Sequence, residues 1–211
     1  MADEYLKLRQ FILERSTGAV GFSTLILTDM SGNKLIESAT KTNVHSLKDT
    51  SGQELCRLRH KVVGELTTEI LDTSDTLLAT VEVVDFVHTT MQHTIKLIDA
   101  GGNDLAYAQG NMLTVKYTVF DMSDKKIATV DKKASGSMSD QVIGGIKQTF
   151  DINILEETDT LPILEFIIAI DYILPLIKHS ITGMGHARRG GGPVMTGSDV
   201  KRPGEGGGLT F

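Results

Sequence analysis

One pattern of apolar and polar positions recurs along the chain. Ile26-Leu27-Thr28-Asp29 precedes Met30-Ser31-Gly32-Asn33-Lys34-Leu35, and Ser46-Leu47-Lys48-Asp49 precedes Thr50-Ser51-Gly52-Gln53-Glu54-Leu55. The same order returns around Asp99 with Gly102 and Leu105, and around Asp121 with Asp124 and Ile127. Each copy reads as a strand, an aspartate, a small or polar turn, and a second strand. In each the next apolar residue stands six positions after the aspartate. A degenerate copy, Ile70-Leu71-Asp72-Thr73-Ser74-Asp75-Thr76-Leu77, is one residue shorter. The aspartate can accept a hydrogen bond from backbone two residues on. The Gly or Asp at the fourth position tolerates the left-handed conformation that closes a short hairpin loop. Flanks such as Thr76–Val83 and Tyr117–Phe120 are rich in β-branched and aromatic residues, which suits strands. Copies recur roughly every 20 to 27 residues, about one hairpin length. The pattern predicts a meander of tandem hairpins. A calcium loop is the alternative for these aspartates, but the alternating oxygen ligands and closing Glu of an EF-hand are missing.

From Thr160 to Ile181 the alternation stops. The run Leu161–Leu174 has almost no polar face. Asp159 or Thr160 can cap a helix here, and Pro162 is tolerated in its first turn. Pro175 is expected to kink or end it, Lys178 and His179 suit a C-terminus, and Gly183 and Gly185 are expected to stop regular structure. The predicted helix covers about residues 160–178. A helix apolar on all sides is buried in protein or in lipid, and about 20 residues is marginal for a bilayer. Glu165 and Asp171 would each cost on the order of 2.5 to 3.5 kcal/mol at a bilayer centre. The favoured reading is mainly β: a closed antiparallel barrel of tandem hairpins around this central helix, which fills the interior. Membrane insertion stays open as the alternative.

At 211 residues with 40% hydrophobic and 23% charged positions, one domain plus a tail is expected. We place the domain at residues 1–181 and a flexible glycine-rich tail at 182–211, whose composition buries too little apolar surface to order itself. The net charge of −6 argues against DNA as a partner. The tail's Arg188-Arg189-Gly190 is a single weak RNA-binding signal, and its Leu209-Thr210-Phe211 end is a candidate docking tip. One cysteine, no N-x-[ST] acceptor and an acidic N-terminus without an apolar signal segment favour an intracellular, cytoplasmic address, peripheral to membranes at most.

The stretch Tyr5-Leu6-Lys7-Leu8-Arg9-Gln10, read as an N-terminal strand, the Asp-x-x-Gly hairpins, and Ile163-Leu164-Glu165-Phe166-Ile167-Ile168-Ala169-Ile170-Asp171 resemble the LURP-one-related family over roughly residues 4–178. That family belongs to the tubby C-terminal-like superfamily, with the phospholipid scramblases as relatives. The resemblance implies a closed barrel of about a dozen strands around a central hydrophobic helix. It also implies phospholipid binding, because the best-understood superfamily members hold phosphoinositide headgroups on basic surface residues.

Candidate chemistry is sparse. His88 and His93 would point to opposite faces of one strand, and neither H-E-x-x-H nor C-x-x-C occurs, so neither a metal nor a cofactor is expected. No G-x-S-x-G elbow or Walker loop occurs either, and the chain does not read as an enzyme. Strand alternation in Leu55–Lys61 puts Cys56, Leu58 and His60 on one face and Arg57, Arg59 and Lys61 on the other. That basic ladder is the candidate anion site. Lys7 and Arg9 repeat the alternation, and Lys125, Lys126, Lys132 and Lys133 would add to it if the fold brings them near. The plain alternative is a solvated outer face. Three functions stay open: a binding module for an anionic phospholipid headgroup or phosphate, an assembly subunit with the tail as its arm and a protein partner, and a scramblase-like membrane protein. Oligomeric state is not legible.

Overall fold

A computed structural model describes residues 7–17, 23–41, 43–61, 67–87, 89–111, 116–133, 146–155 and 160–187. Twelve strands among them form one closed antiparallel barrel. They are β1 (Gln10–Thr17), β2 (Ser23–Thr28), β3 (Lys34–Lys41), β4 (Val44–Asp49), β5 (Glu54–Lys61) and β6 (Thr67–Leu71), followed by β7 (Leu77–Val87), β8 (Gln92–Asp99), β9 (Asp104–Asn111), β10 (Lys116–Asp121), β11 (Lys126–Lys132) and β12 (Ile146–Ile154). Each strand pairs with its neighbours in sequence, and β1 pairs with β12 to close the wall. Helix α1 (Thr160–Ala187) follows. The contacts divide the chain into Met1–Ile177 and Lys178–Phe211. The fold described below lies in the first unit.

The five aspartate repeats are five copies of one turn. In each, the N–H three residues after the aspartate and the aspartate's own N–H close the loop: Asp29 N–H donates to Asn33 O, and Gly32 N–H donates to Asp29 O. The same bonds recur from Asp49, Asp72, Asp99 and Asp121. The fourth residue is left-handed every time, with φ of 85° at Gly32, 83° at Gly52, 64° at Asp75, 87° at Gly102 and 65° at Asp124. A register shift follows at each turn, as at Leu27/Thr28 and Leu47/Lys48. This is a type I turn closed by a bulge residue in the left-handed region. The carboxylates serve the turns: Asp29 Oδ1 accepts from Ser31 N–H and Asn33 N–H at 2.8 Å, and Asp121 Oδ1 accepts from Ser123 N–H at 2.8 Å. These bonds hold the Asp29, Asp49, Asp72, Asp99 and Asp121 carboxyls below the usual aspartate range.

The copy at Asp72 has the same loop as the others. It reads as shorter only because Leu77 takes the slot that Lys34, Glu54, Asp104 and Lys126 fill elsewhere. The common core-facing residue stands seven positions after each aspartate: Ile36, Cys56, Ala79, Ala106 and Ala128 are buried. Six positions after the aspartate, Leu78 and Leu105 are exposed, while Ile127 is buried.

The helix is inside the barrel. Every residue from Ile163 to Leu174 is buried. Tyr172 bonds Ser38 of β3 at 2.8 Å and stacks on His45 of β4, 3.9 Å between ring centres. On the other side, the Tyr117 hydroxyl of β10 donates to Ile167 O at 3.3 Å. β4 and β10 stand six strands apart in a ring of twelve, so α1 is gripped from opposite walls. Among the described residues no helix is long and apolar enough to cross a membrane.

Two sequence expectations are corrected. β1 begins at Gln10, and Lys7–Arg9 precede it. The last ladder bond runs from Ile154 N–H to Arg9 O, so pairing with β12 sets that boundary. The first part of the supposed strand lies outside the described residues. The helix also continues past Pro175, Gly183 and Gly185 to Ala187. A proline at 175 has no N–H for the carbonyl four residues back, that of Asp171. Arg15 of β1 supplies the missing donor, Nη1 to Asp171 O at 3.1 Å. The tail from residue 188 lies outside the described residues.

Candidate anion site on the outer wall

β5 alternates as its sequence requires, with Cys56, Leu58 and His60 buried and Arg57, Arg59 and Lys61 turned outward. Pairing with β4 and β6 then decides what meets the cations. Glu69 of β6 stands directly opposite Arg59. Its carboxylate takes Arg59 at 2.5 Å and Lys61 at 2.5 Å. Glu69 is 8% exposed, while Arg59 and Lys61 are 43% and 55% exposed. Two exposed cations thus share one buried carboxylate on the same face, which leaves one positive charge over at that spot. The two partners hold the Glu69 carboxyl below its ordinary value although burial acts the other way and is the largest single influence. Arg57 has the opposite balance. It pairs with Glu54 and, at 2.8 Å, with Asp75 of the β6–β7 turn.

The remaining candidates are elsewhere. β1 stands four strands from β5 around the wall, roughly 19 Å along the hydrogen-bonding direction at normal strand spacing. Lys7 is exposed. Arg9 donates to Thr160 Oγ1 at 2.7 Å, near the start of α1. Arg9 also lines a groove of about 430 Å³ with Leu8, Met30, Ile154 and Leu155. Lys126 and Lys132 belong to β11, six strands from β5, and Lys133 pairs with Asp151 at 2.7 Å. The barrel therefore groups Arg57, Arg59 and Lys61, and separates them from Lys7, Arg9 and the later lysines.

The acidic partners were not legible from the ladder itself, because Glu69 and Asp75 arrive through the β5–β6 and β6–β7 pairings. The one available signal was the spacing of a second strand after Lys61, which sets Glu69 opposite Arg59 once the hairpin is drawn.

The interior carries a second polar group of residues. Arg15 and Asp171 form an ion pair at 3.4 Å. Burial pushes the Asp171 carboxyl above its ordinary value, against the pull of Arg15. His45 and His60 touch edge to face at 5.0 Å, and His60 Nδ1 bonds Thr68 at 2.8 Å. Burial lowers both imidazoles to about 4, and at His45 the charges of His60 and Arg15 add to this. Burial pushes the Cys56 thiol up, and the neighbouring Glu165 carboxylate pushes it further. Such a thiol is a poor nucleophile. These groups fasten the helix to the wall. His88 lies outside the described residues, so its placement relative to His93 is not described. Among the described residues no group of three His, Cys, Asp or Glu side chains could hold a metal ion.

No curated protein matches the sequence. A solved X-ray structure of a protein from Arabidopsis thaliana is similar, with a TM-score of 0.55 and 18% identity over 81% of this chain and 94% of that one. At that identity the likeness concerns the fold. The profile of the LURP-one-related family matches residues 19–171. With its hairpin barrel and enclosed helix, the chain belongs to the LURP-one-related family.

Proposed function

We propose that this barrel is a non-catalytic docking module that seats an anionic headgroup or phosphate on Arg59 and Lys61. The observation that carries the reading is the shared Glu69 carboxylate, which leaves two exposed cations with a single acidic partner. The Arg59 guanidinium offers a planar fork to a phosphate, and Lys61 offers a mobile point charge. Arg57 is a poor contributor, because two carboxylates already bracket it. Each cation at an anionic membrane surface is worth about 1 kcal/mol, and the effect is screened by salt. The expected affinity is therefore modest and salt-dependent.

Liposome sedimentation tests this. Vesicles containing phosphoinositide should pellet the wild-type protein better than neutral vesicles do. Arg59→Ala/Lys61→Ala should lose about 2 kcal/mol, roughly a thirtyfold weakening, whereas Arg57→Ala should behave as wild type. Equal recovery of all three proteins on both kinds of vesicle would end the proposal.

A second reading, an assembly subunit, draws on the groove beside β1, where exposed Met30 and Leu155 meet Leu8 and Ile154. It predicts a stable complex that light scattering or pull-down detects and that Met30→Asp weakens. A monomer with no Met30-dependent partner would contradict it.

A further inference from the structure

Strand β6 is buried along all five of its residues, including Thr67, Glu69 and Leu71, which alternate to the outer face. Long side chains of β5 lean across it, because Arg59 and Lys61 both reach Glu69. Lys61 stands directly opposite Thr67, two residues short of Glu69, so its chain runs past Thr67 to make that contact. Thr67 is 6% exposed, and its hydroxyl has no hydrogen-bond partner. A buried polar group left unpaired is costly and calls for an explanation.

The same row continues on β7. Glu82 is the other direct neighbour of Thr67 and is half-buried. Lys96 of β8, opposite Glu82, is taken by Asp104, and among the described residues no ion pair engages Glu82. Directly paired residues point to the same face. Lys61, Thr67 and Glu82 therefore stand side by side on the outer wall as a cation, a hydroxyl and a carboxylate, spanning roughly 10 Å at normal strand spacing. One positive charge is left over at the β5 end, where Arg59 and Lys61 share Glu69. The Glu82 carboxylate leaves one negative charge at the β7 end.

We infer, building on the outer-wall anion site proposed above, that this row selects an aminophosphate headgroup: a phosphate ester whose alcohol carries a primary ammonium. The phosphate takes the surplus charge of Arg59 and Lys61. Drawing the flexible Lys61 off Glu69 uncovers the Thr67 hydroxyl, which donates to a phosphate oxygen. The ammonium, held a short carbon chain from the phosphate, meets Glu82 and supplies the counter-ion that carboxylate lacks. Opposite charges at the two ends of the row thus match opposite charges at the two ends of the headgroup. A phosphate without an ammonium engages the β5 half alone.

The test is sedimentation of the full chain with phosphatidylcholine vesicles containing equal mole fractions of phosphatidylserine or phosphatidylglycerol, which carry the same net charge and differ in the ammonium. Wild type should favour phosphatidylserine about three- to fivefold, the scale of one ion pair at a wet surface. Glu82→Gln should bring phosphatidylserine down to the phosphatidylglycerol level. Thr67→Val, which keeps the shape, should weaken binding to phosphatidylserine about tenfold, the scale of one hydrogen bond to a charged group. An NMR titration with O-phosphoethanolamine separates a free ligand from a membrane one: saturable shifts at Thr67 and Glu82, absent with inorganic phosphate at Glu82, support the same row for the soluble headgroup. Equal recovery on the two lipids, a preference that survives Glu82→Gln, or wild-type binding by Thr67→Val would overturn the inference, and the outer-wall site would still stand if Arg59→Ala/Lys61→Ala loses both lipids. No recovery on either lipid and no saturable shift would end both.

Discussion

The link between Arg15 and the proline in the helix allows a quantitative test. Arg15 Nη1 faces both the Asp171 carboxylate, at 3.4 Å, and the Asp171 carbonyl, at 3.1 Å. Replacing Arg15 by Met keeps bulk and removes both interactions. Breaking a buried ion pair by removing one partner costs about 3–5 kcal/mol. The long 3.4 Å contact and the 15% exposure of Arg15 place this case near the bottom of that range, about 3 kcal/mol. A charged donor to a carbonyl accounts for about 1.5–3 kcal/mol of hydrogen bonding. Pro175→Ala restores a backbone N–H that can serve the same carbonyl. In that background Arg15→Met should cost about 1–2 kcal/mol less than in the wild type. Urea unfolding of the four proteins gives the coupling directly. Asp171→Asn, which keeps the carbonyl, should leave the coupling between positions 15 and 175 intact. Additivity of Arg15→Met and Pro175→Ala within about 0.5 kcal/mol, the behaviour of independent sites, would refute the argument.

Acid sensitivity follows from the interior imidazoles. His45 and His60 are lowered from 6.5 to about 4, so the unfolded chain binds protons before the folded one. Their contribution is complete above pH 6.5 and is lost as pH falls from there towards 4. The limit is about 3 kcal/mol for each ring, at about 1.4 kcal/mol per pH unit. Tyr172 lies against both rings and the Arg15 charge acts on His45, and the raised carboxyl of Asp171, paired with Arg15, works in the opposite direction, gaining stability as pH falls. The turn carboxylates act only near and below their ordinary value of 3.8. His45→Gln/His60→Gln should flatten the stability profile between pH 6.5 and 4, and an unchanged slope would contradict this. Gly52→Ala, at φ 83° with open space around it, should destabilise by about 1 kcal/mol through backbone strain alone; a neutral result in thermal unfolding would show that the turn relaxes. Cys56, fully buried with its thiol pushed up, should resist a thiol reagent until the chain unfolds, and rapid labelling of the native protein would disprove its burial.

Much of the architecture follows from local chemistry, which a sequence displays. An aspartate and a left-handed residue three positions later specify one turn, and five copies specify a meander. The copy at Asp72 looked irregular because apolar spacing was counted to Leu77, while the backbone counts only the loop from Asp72 to Thr76. The oily run of α1 was visible because no other segment lacks a polar face. Its passage through Pro175 was hidden, because the compensating donor is Arg15, 156 positions away. The candidate site divides the same way. Alternation on β5 placed the three cations correctly on the outer face, but their electrostatic balance depends on Glu69 and Asp75, which only strand pairing supplies.

The account rests on a helix enclosed on all sides by the strands. The most direct test is nuclear Overhauser contacts from α1 to the two opposite walls. The account predicts contacts from the Tyr172 ring to His45 on β4 and from the Ile167 region to the Tyr117 ring on β10 in the same molecule. Contacts to one wall only, with the other strand silent, would place the helix against the outside of the sheet and contradict the barrel as described.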